Sequence, residues 1–436
     1  MKKLKSSLGL RLTIIGVLTL VLLIPSLLIQ NLIRERENRR DSVAQEISQK
    51  WGKEQVIIGP VLSIPYTHHY TTEGKTQQTT RYAHFLPENL EIDGNLSPEV
   101  RYRGLYKAIV YNSELSISGS FPSLDLENLN VPAEDLMTED AFVWVGISDM
   151  TGIKDFITIN WNGNELLANP GVSSDDVVAS GISISPDIET NSEYKFDFDL
   201  NLNGSSGLQF APVGKQTNVT LTSEWTDPSF TGTFLPAQRE VDESGFSASW
   251  EVLHLNRNFP QQWQGPNAEV ANSSFGVDLL LGVDEYQKTM RTAKYAIMFI
   301  SLTFLTFFMM ELLTKKRIHP VQYLLIGFAL LVFYTLLLSI SEYMMFKFAY
   351  LIAATAIIGL ISVYSFRVLA DKLKTGIVFC VLILLYGYLY ILLQLQDYAL
   401  LMGSIGLFVV LALVMYLTRH IDWFEVMGNQ SDGITQ

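Results

Sequence analysis

One apolar stretch near the start of the chain, Leu12 to Ile33, is followed by roughly 250 mostly polar residues and then by five more apolar stretches almost back to back. No other feature constrains the fold as strongly. The later stretches are about Ala293 to Leu313, Val321 to Ile340, Phe348 to Phe366, Gly376 to Leu393 and Leu400 to Leu417. Each approaches the ~20 residues that cross a hydrocarbon core of ~30 Å at 1.5 Å per residue. The expectation is therefore six membrane-spanning helices with one large domain inserted after the first. The first stretch has the basic start of a secretory signal (Lys2, Lys3, Lys5, Arg11), but its apolar part is too long. Gln30-Asn31-Leu32-Ile33 also offers no small-x-small cleavage site, so it reads as an uncleaved anchor.

Orientation follows from the short loops. Lys315, Lys316 and Arg317 follow the second stretch, Arg367, Lys372 and Lys374 the fourth, and Arg419 the sixth, whereas the alternate turns hold Glu342 with Lys347 and Asp397. The positive-inside rule then places both termini in the cytoplasm and residues 34–290 outside it. Arg34, Arg36, Arg39 and Arg40 oppose that assignment, but Glu35, Glu37 and Asp41 are interleaved with them. The boundaries expected are 1–33 for the inner terminus and first span, 34–290 for the extracytoplasmic part, 291–420 for a five-helix bundle and 421–436 for an inner tail. Residues 34–290 hold 17 Lys and Arg against 37 Asp and Glu, a net of −20, and the rest of the chain carries +7. So acidic an exterior repels nucleic acid. The one cysteine, Cys380, falls inside the fifth span, so the exported domain folds on an ordinary hydrophobic core without a disulfide.

Val43, Ile47 and Trp51 repeat at helical spacing ahead of Gly52, so residues 34–51 read as a helix continuing from the first span. It is either a rigid lever or a helix lying on its own domain. From Gln55 to Val283 the pattern becomes short alternating or β-branched runs, among them Val56–Ile64, Ala108–Ile117, Tyr194–Leu202 and Phe246–Leu255. Gly59-Pro60, Asp93-Gly94, Asn162-Gly163 and Asn203-Gly204 punctuate them as expected breakers. Asn162-Gly163 marks a hairpin. The fold class expected is an antiparallel, sandwich-like β domain. An echo between Leu115–Pro122 and Trp225–Pro236 suggests two similar β units of roughly 100 residues, divided near 170–190.

Several segments resemble the CreD family of bacterial inner-membrane, cell-envelope integrity proteins. They are Trp51-Gly with Gly59-Pro-Val-Leu-Ser-Ile-Pro-Tyr66, Phe85-Leu-Pro-Glu88, Arg101-Tyr-Arg-Gly-Leu-Tyr106, Trp225 to Pro236, Leu255-Asn-Arg-Asn-Phe-Pro-Gln261, and the run from Phe275 through His319-Pro-Val-Gln-Tyr323 to Ser339-Ile-Ser-Glu342. The resemblance implies a multi-pass cytoplasmic-membrane protein linked to envelope integrity and to the response to β-lactams. It brings no catalytic residues and no cofactor. Tyr343 stands where the family pattern has His, which puts any imidazole role there in doubt.

The residues show no catalytic constellation. His68 and His69 are neighbours in a strand-like stretch and face opposite ways, so they do not chelate one ion together, although His84 can approach one of them from a paired strand. Gly245-Phe-Ser247-Ala-Ser249 lacks the second glycine of a hydrolase elbow, and Gly204-Ser-Ser-Gly207 reads as a hairpin turn rather than a phosphate cradle. Asp175-Asp176 and Asp197-Phe-Asp199 lack calcium-loop spacing and read as solvated carboxylates. In the spans, each ionisable residue needs a reason. Glu311 stands four residues before Lys315, a favourable helical ion pair, and Glu342 ends the third span near Lys347. His319-Pro320 opens the third span, and Gln322 lies in its first turn.

The leading expectation is a non-enzymatic envelope protein that binds or senses an envelope protein or cell-wall component through its outer domain. The alternative is a transporter or flippase-like accessory using Glu311, His319, Gln322 and Glu342. In the outer domain Arg101, Arg103, Trp225 and Arg257 are the candidate recognition residues. Ala349, Ala353, Ala356, Gly359 and Ser362 form a small-residue stripe that suits bundle packing or a homo-oligomer.

Overall fold

The computed structural model describes residues 8–419 except 73–74, 125–128, 130, 175, 282–284, 315–316 and 396–397. The chain divides into two compact units, one made of residues 1–39 with 283–436 and the other of residues 40–282.

The unit of residues 40–282 is built on strands. In chain order they are β1 (Gln55–Thr72), β2 (Lys75–Phe85), β3 (Asn89–Arg103), β4 (Tyr106–Phe121), β5 (Phe142–Ile147), β6 (Thr158–Trp161), β7 (Asn164–Leu167), β8 (Asn169–Pro170), β9 (Gly181–Ile184), β10 (Tyr194–Ser205), β11 (Gly207–Phe210), β12 (Gln216–Ser223), β13 (Pro228–Gly232), β14 (Gln238–Asp242), β15 (Gly245–Leu253), β16 (Gln262–Gln264) and β17 (Phe275–Leu279). Two sheets result. One runs β13-β17-β11-β1-β5-β9-β8, with β2 paired to β1 and β16 to β2, and the other runs β14-β15-β12-β3-β4-β10-β6-β7.

Period-two patterning drives the second sheet. Along β10, Tyr194, Phe196, Phe198, Leu200 and Leu202 are buried while Lys195, Asp197 and Asp199 are exposed. Across it, Asp93 opposes Ser116 and Ser116 opposes Asp199, so one face is a polar array and the other is core. Buried residues of both sheets, among them Val61, Leu62 and Trp144 of the first and Ile92, Leu115 and Leu200 of the second, belong to one hydrophobic cluster. The Asn162-Gly163 hairpin forms as expected: φ is +51° at Asn162 and +87° at Gly163, the mirror-image turn that joins β6 to β7 with little splay.

Four expectations are corrected. The sheets are mixed, because β1 pairs in parallel with β11 and β3 with β12. Both parallel pairs join segments more than 100 residues apart, a pairing that no local pattern announces. The two-unit duplication fails as well, since β1 binds β11 and β5, and β3 binds β12, so strands from both halves are interleaved. Gly204-Ser-Ser-Gly207 is not a hairpin turn: β10 ends in one sheet and β11 begins in the other, with Ser206 at φ +65° in the corner. Finally, Gly59-Pro60, Asp93-Gly94 and Asn203-Gly204 lie inside strands. A methyl on Gly94 would come within 2.6 Å of Leu221, and one on Gly204 would strike the Tyr111 ring, so these glycines answer close packing and not a turn.

The other unit is helical. Helices α1 (Leu8–Val21) and α2 (Leu23–Trp51) are nearly continuous and contain the first span. The interruption at Leu22 follows from Pro25, whose ring displaces the carbonyl four residues before it. After α3 (Glu285–Lys294) and α4 (Ala296–Thr314), bent 45° at their junction, come α5 (Pro320–Ser341), α6 (Phe346–Leu369), α7 (Lys372–Gln394) and α8 (Ala399–Thr418). Among the described residues four helices are long and apolar enough to cross a membrane, five if the bent pair is one span, and Leu401–Tyr416 is a shorter apolar helix. Ala349 and Ala353 of the small-residue stripe are fully buried, whereas Ala356 and Gly359 are exposed.

Candidate functional site

The segment Leu255–Gln261 builds the most unusual polar feature of the β unit. Arg257 is 7% exposed. Its Nη1 donates to the carbonyls of Phe259 at 2.6 Å and Pro260 at 3.3 Å, and its Nη2 donates to the Val213 carbonyl at 3.4 Å and to the Gln261 side chain. Its guanidinium lies 4.1 Å from the Phe259 ring centroid, and Nε is buried without a hydrogen-bond partner. No carboxylate pairs with it among the described residues, and burial pushes its pKa down to about 10, which leaves it charged at neutral pH. A buried cation compensated only by carbonyl dipoles is costly. It lines a cavity of 380 Å³ whose other walls carry Asn256, Asn258, Asn267, Asn272 and Glu269.

The remaining candidate recognition residues are placed elsewhere. Arg101 stacks 3.8 Å above the Trp51 ring, and Arg103 pairs with Glu46. Arg103 first and Lys50 second hold the Glu46 carboxyl at about 2. Trp51 itself donates to the Tyr111 carbonyl at 3.2 Å. These residues fasten the end of α2 to the β3–β4 hairpin around a cavity of 340 Å³. Trp225 donates to the Leu280 carbonyl at 3.1 Å, a structural bond.

Sequence reasoning missed a buried network. Ser63 on β1 and His84 on β2 are cross-strand partners, with Ser63 Oγ 2.7 Å from His84 Nδ1. His84 Nε2 lies 3.2 Å from Asp176, and Trp144 donates to Ser63 Oγ at 2.8 Å. Serine, histidine and aspartate thus meet, but Ser63 and His84 are fully buried, so no substrate carbonyl reaches the hydroxyl. Burial lowers the His84 pKa, opposed by Asp176. The only available signal was the strand register, which the sequence does not display. His69 lies 3.2 Å from Asp135, and Asp197 and Asp199 accept from Asn160 and Ser116 on a solvated strand face. Asp175 falls outside the described residues. No group of three or more His, Cys, Asp or Glu side chains suited to a metal occurs among the described residues.

In the helical unit the partner expected for Glu342 is corrected. Lys315 lies outside the described residues, and Glu311, 4% exposed, receives Arg11 from α1 at 2.5 Å and the Tyr323 hydroxyl at 3.3 Å. Glu342 has Arg36 of α2 at 4.0 Å and the Tyr286 hydroxyl at 3.2 Å, while Lys347 sits over Phe348. Arg11 and Arg36 are 25 residues apart, about 37 Å of helix, so the first span is tied to the bundle by an arginine, a glutamate and a tyrosine at each end. His319 caps α5: its Nδ1 accepts from the Val321 N–H at 3.3 Å, and the His319 N–H donates to Gln322 at 2.9 Å. Glu311 and His319 meet at one cavity, Gln322 serves the cap beside it, and Glu342 stands at the far end.

The chain matches the family model described as Inner membrane protein CreD over residues 7–424. It is 38% identical over 431 residues to Inner membrane protein CreD of Escherichia coli (strain K12), covering 97% of this chain and 95% of that one. Among solved structures, an M1 zinc metallopeptidase from Deinococcus radiodurans aligns with 44% of this chain and 42% of its own at 7% identity and a TM-score of 0.19. A mutant of that peptidase bound to a Tyr-Ser-Ala substrate covers 38% of this chain and 39% of its own, at 6% identity and a TM-score of 0.18. Scores this low support no shared fold. With the family motifs in order along both units, the chain belongs to the CreD family of inner membrane proteins.

Proposed function

We propose that this protein supports cell-envelope integrity and the response to envelope stress by binding, not by catalysis. On this reading six spans anchor a sandwich-like β domain in the periplasm, both termini are cytoplasmic, and the β domain engages a cell-wall component or an envelope protein. The observation that carries it is Arg257: a buried guanidinium that pairs with no carboxylate among the described residues, at a 380 Å³ cavity lined by four asparagines and Glu269. Side-chain amides in such a place recognise polar groups through oriented hydrogen bonds, and Arg257, whose Nη donors are held by Phe259, Pro260, Val213 and Gln261, adds a positive charge behind them. The buried Ser63 hydroxyl supports a structural role for the Ser63-His84-Asp176 network. Glu311 and Glu342 are each occupied by an arginine and a tyrosine, which fits a clamp better than a carrier.

The test uses a photo-crosslinker at the exposed Asn258 of the full chain in intact envelopes, with Glu165, on the β6–β7 hairpin, as control position. A reproducible adduct from Asn258 alone is expected, with loss of envelope protection in Asn258→Trp and Asn267→Trp. Adducts no different from those at Glu165, with full protection in both variants, would refute it. A reporter enzyme fused within residues 55–281 and active only in the cytosol would overturn the topology.

A further inference from the structure

A second cavity, of 280 Å³, lies wholly within the helical unit where α1, α4 and α5 meet. Its apolar walls are Ile14, Ile15, Ile318 and Pro320, and its polar groups are Arg11, Glu311, Arg317, His319 and Tyr323. Arg11 and Glu311 cancel one another at 2.5 Å. That leaves Arg317, which is exposed and forms no ion pair among the described residues. Because Nδ1 of His319 accepts from the Val321 N–H, the hydrogen of the neutral ring sits on Nε2, and His319 donates from there. The cavity therefore offers donors and one positive charge that no acidic side chain among the described residues pairs with, beside hydrocarbon walls, at the end of helices that are apolar enough to span a bilayer.

We propose that this cavity holds the phosphate of an anionic phospholipid, with Arg317 as its counter-ion, His319 as a second donor, and the acyl chains running out along Ile14 and Ile15. Two considerations select this occupant. A soluble anion leaves the partly exposed Ile14, Ile15 and Pro320 uncovered, and a purely apolar guest leaves Arg317 unmatched; an amphiphile with a negative head satisfies both parts. The volume suits a headgroup, not a whole lipid, so the chains belong to the surrounding bilayer. Bound lipid would then rest against the Arg11–Glu311 pair that fastens the first span, and the site depends on none of the groups assigned to the β domain.

The experiment uses the full chain in vesicles of phosphatidylglycerol mixed with phosphatidylcholine and follows exchange of a spin-labelled phosphatidylglycerol. One slowly exchanging phosphatidylglycerol per chain is expected, held about five- to tenfold less well by Arg317→Gln, the loss of one interfacial charge with its hydrogen bond. Arg317→Lys should retain most of the preference, and Ile14→Trp, which fills the cavity, should abolish it. Inorganic phosphate should not displace the label. Equal retention by wild type and Arg317→Gln, equal retention of phosphatidylcholine, or displacement by inorganic phosphate alone would each overturn the proposal. Arg317 is exposed, so its replacement leaves the fold intact and keeps the test decisive.

Discussion

Replacing Glu311 by Gln should loosen the attachment of the first span far more than a surface ion pair would. The carboxylate is 4% exposed and Arg11 is 21% exposed, with 2.5 Å between them. An exposed pair contributes about 0.2–1 kcal/mol, whereas removing one member of a buried pair costs about 3–5 kcal/mol because the other charge is stranded. Arg11 keeps some access to solvent, which places the expected cost at about 2–3 kcal/mol. Tyr323 adds a longer bond at 3.3 Å, and Tyr323→Phe should cost about 1 kcal/mol. The assay is a double-mutant cycle on Arg11→Gln, Glu311→Gln and the double variant, read as reversible unfolding of the purified full chain in one detergent. A coupling of about 1.5 kcal/mol or more is expected between the two sites. Strict additivity would refute the reasoning, since it would mean that the two charges meet without energetic consequence.

Gly327 of α5 packs against the fully buried Leu22, so Gly327→Val should destabilise the helical unit by about 2 kcal/mol, read as a lower midpoint of unfolding. Gly163, at φ +87° in the β6–β7 turn, should cost about 1 kcal/mol when replaced by Ala, and an unchanged midpoint would exclude the mirror-image turn. His84 has a folded pKa below the ordinary 6.5, so between the two values the unfolded chain binds more protons. Stability is then fully present above about pH 6.5 and falls as the pH drops towards the lower folded value; His84→Gln should flatten that slope in pH-dependent denaturation.

Much of the architecture was legible in the residues. Hydrocarbon thickness makes a run such as Val321 to Ile340 readable without a partner, because a helix satisfies its own backbone and needs only apolar side chains outside. Alternation did the same for β10, and Asn162-Gly163 announced its turn, since turn type follows from two residues. The recognition candidates were legible by type but not by role: Arg101 and Arg103 serve the joint with α2, Trp225 binds a carbonyl, and Arg257 lies beside the asparagine-lined cavity.

What the sequence by itself determined are the properties that arise within one element: which runs are apolar enough for a bilayer, which strands alternate, where the net negative charge lies, and which family motifs occur. What only the tertiary structure decided are pairings between distant segments. Parallel registry of β3 with β12, the meeting of Ser63, His84 and Asp176, and the capture of Glu311 by Arg11, 300 residues away, leave no local periodicity. Their energy comes from burial of polar groups against one another, a property of the packed chain that no single segment encodes.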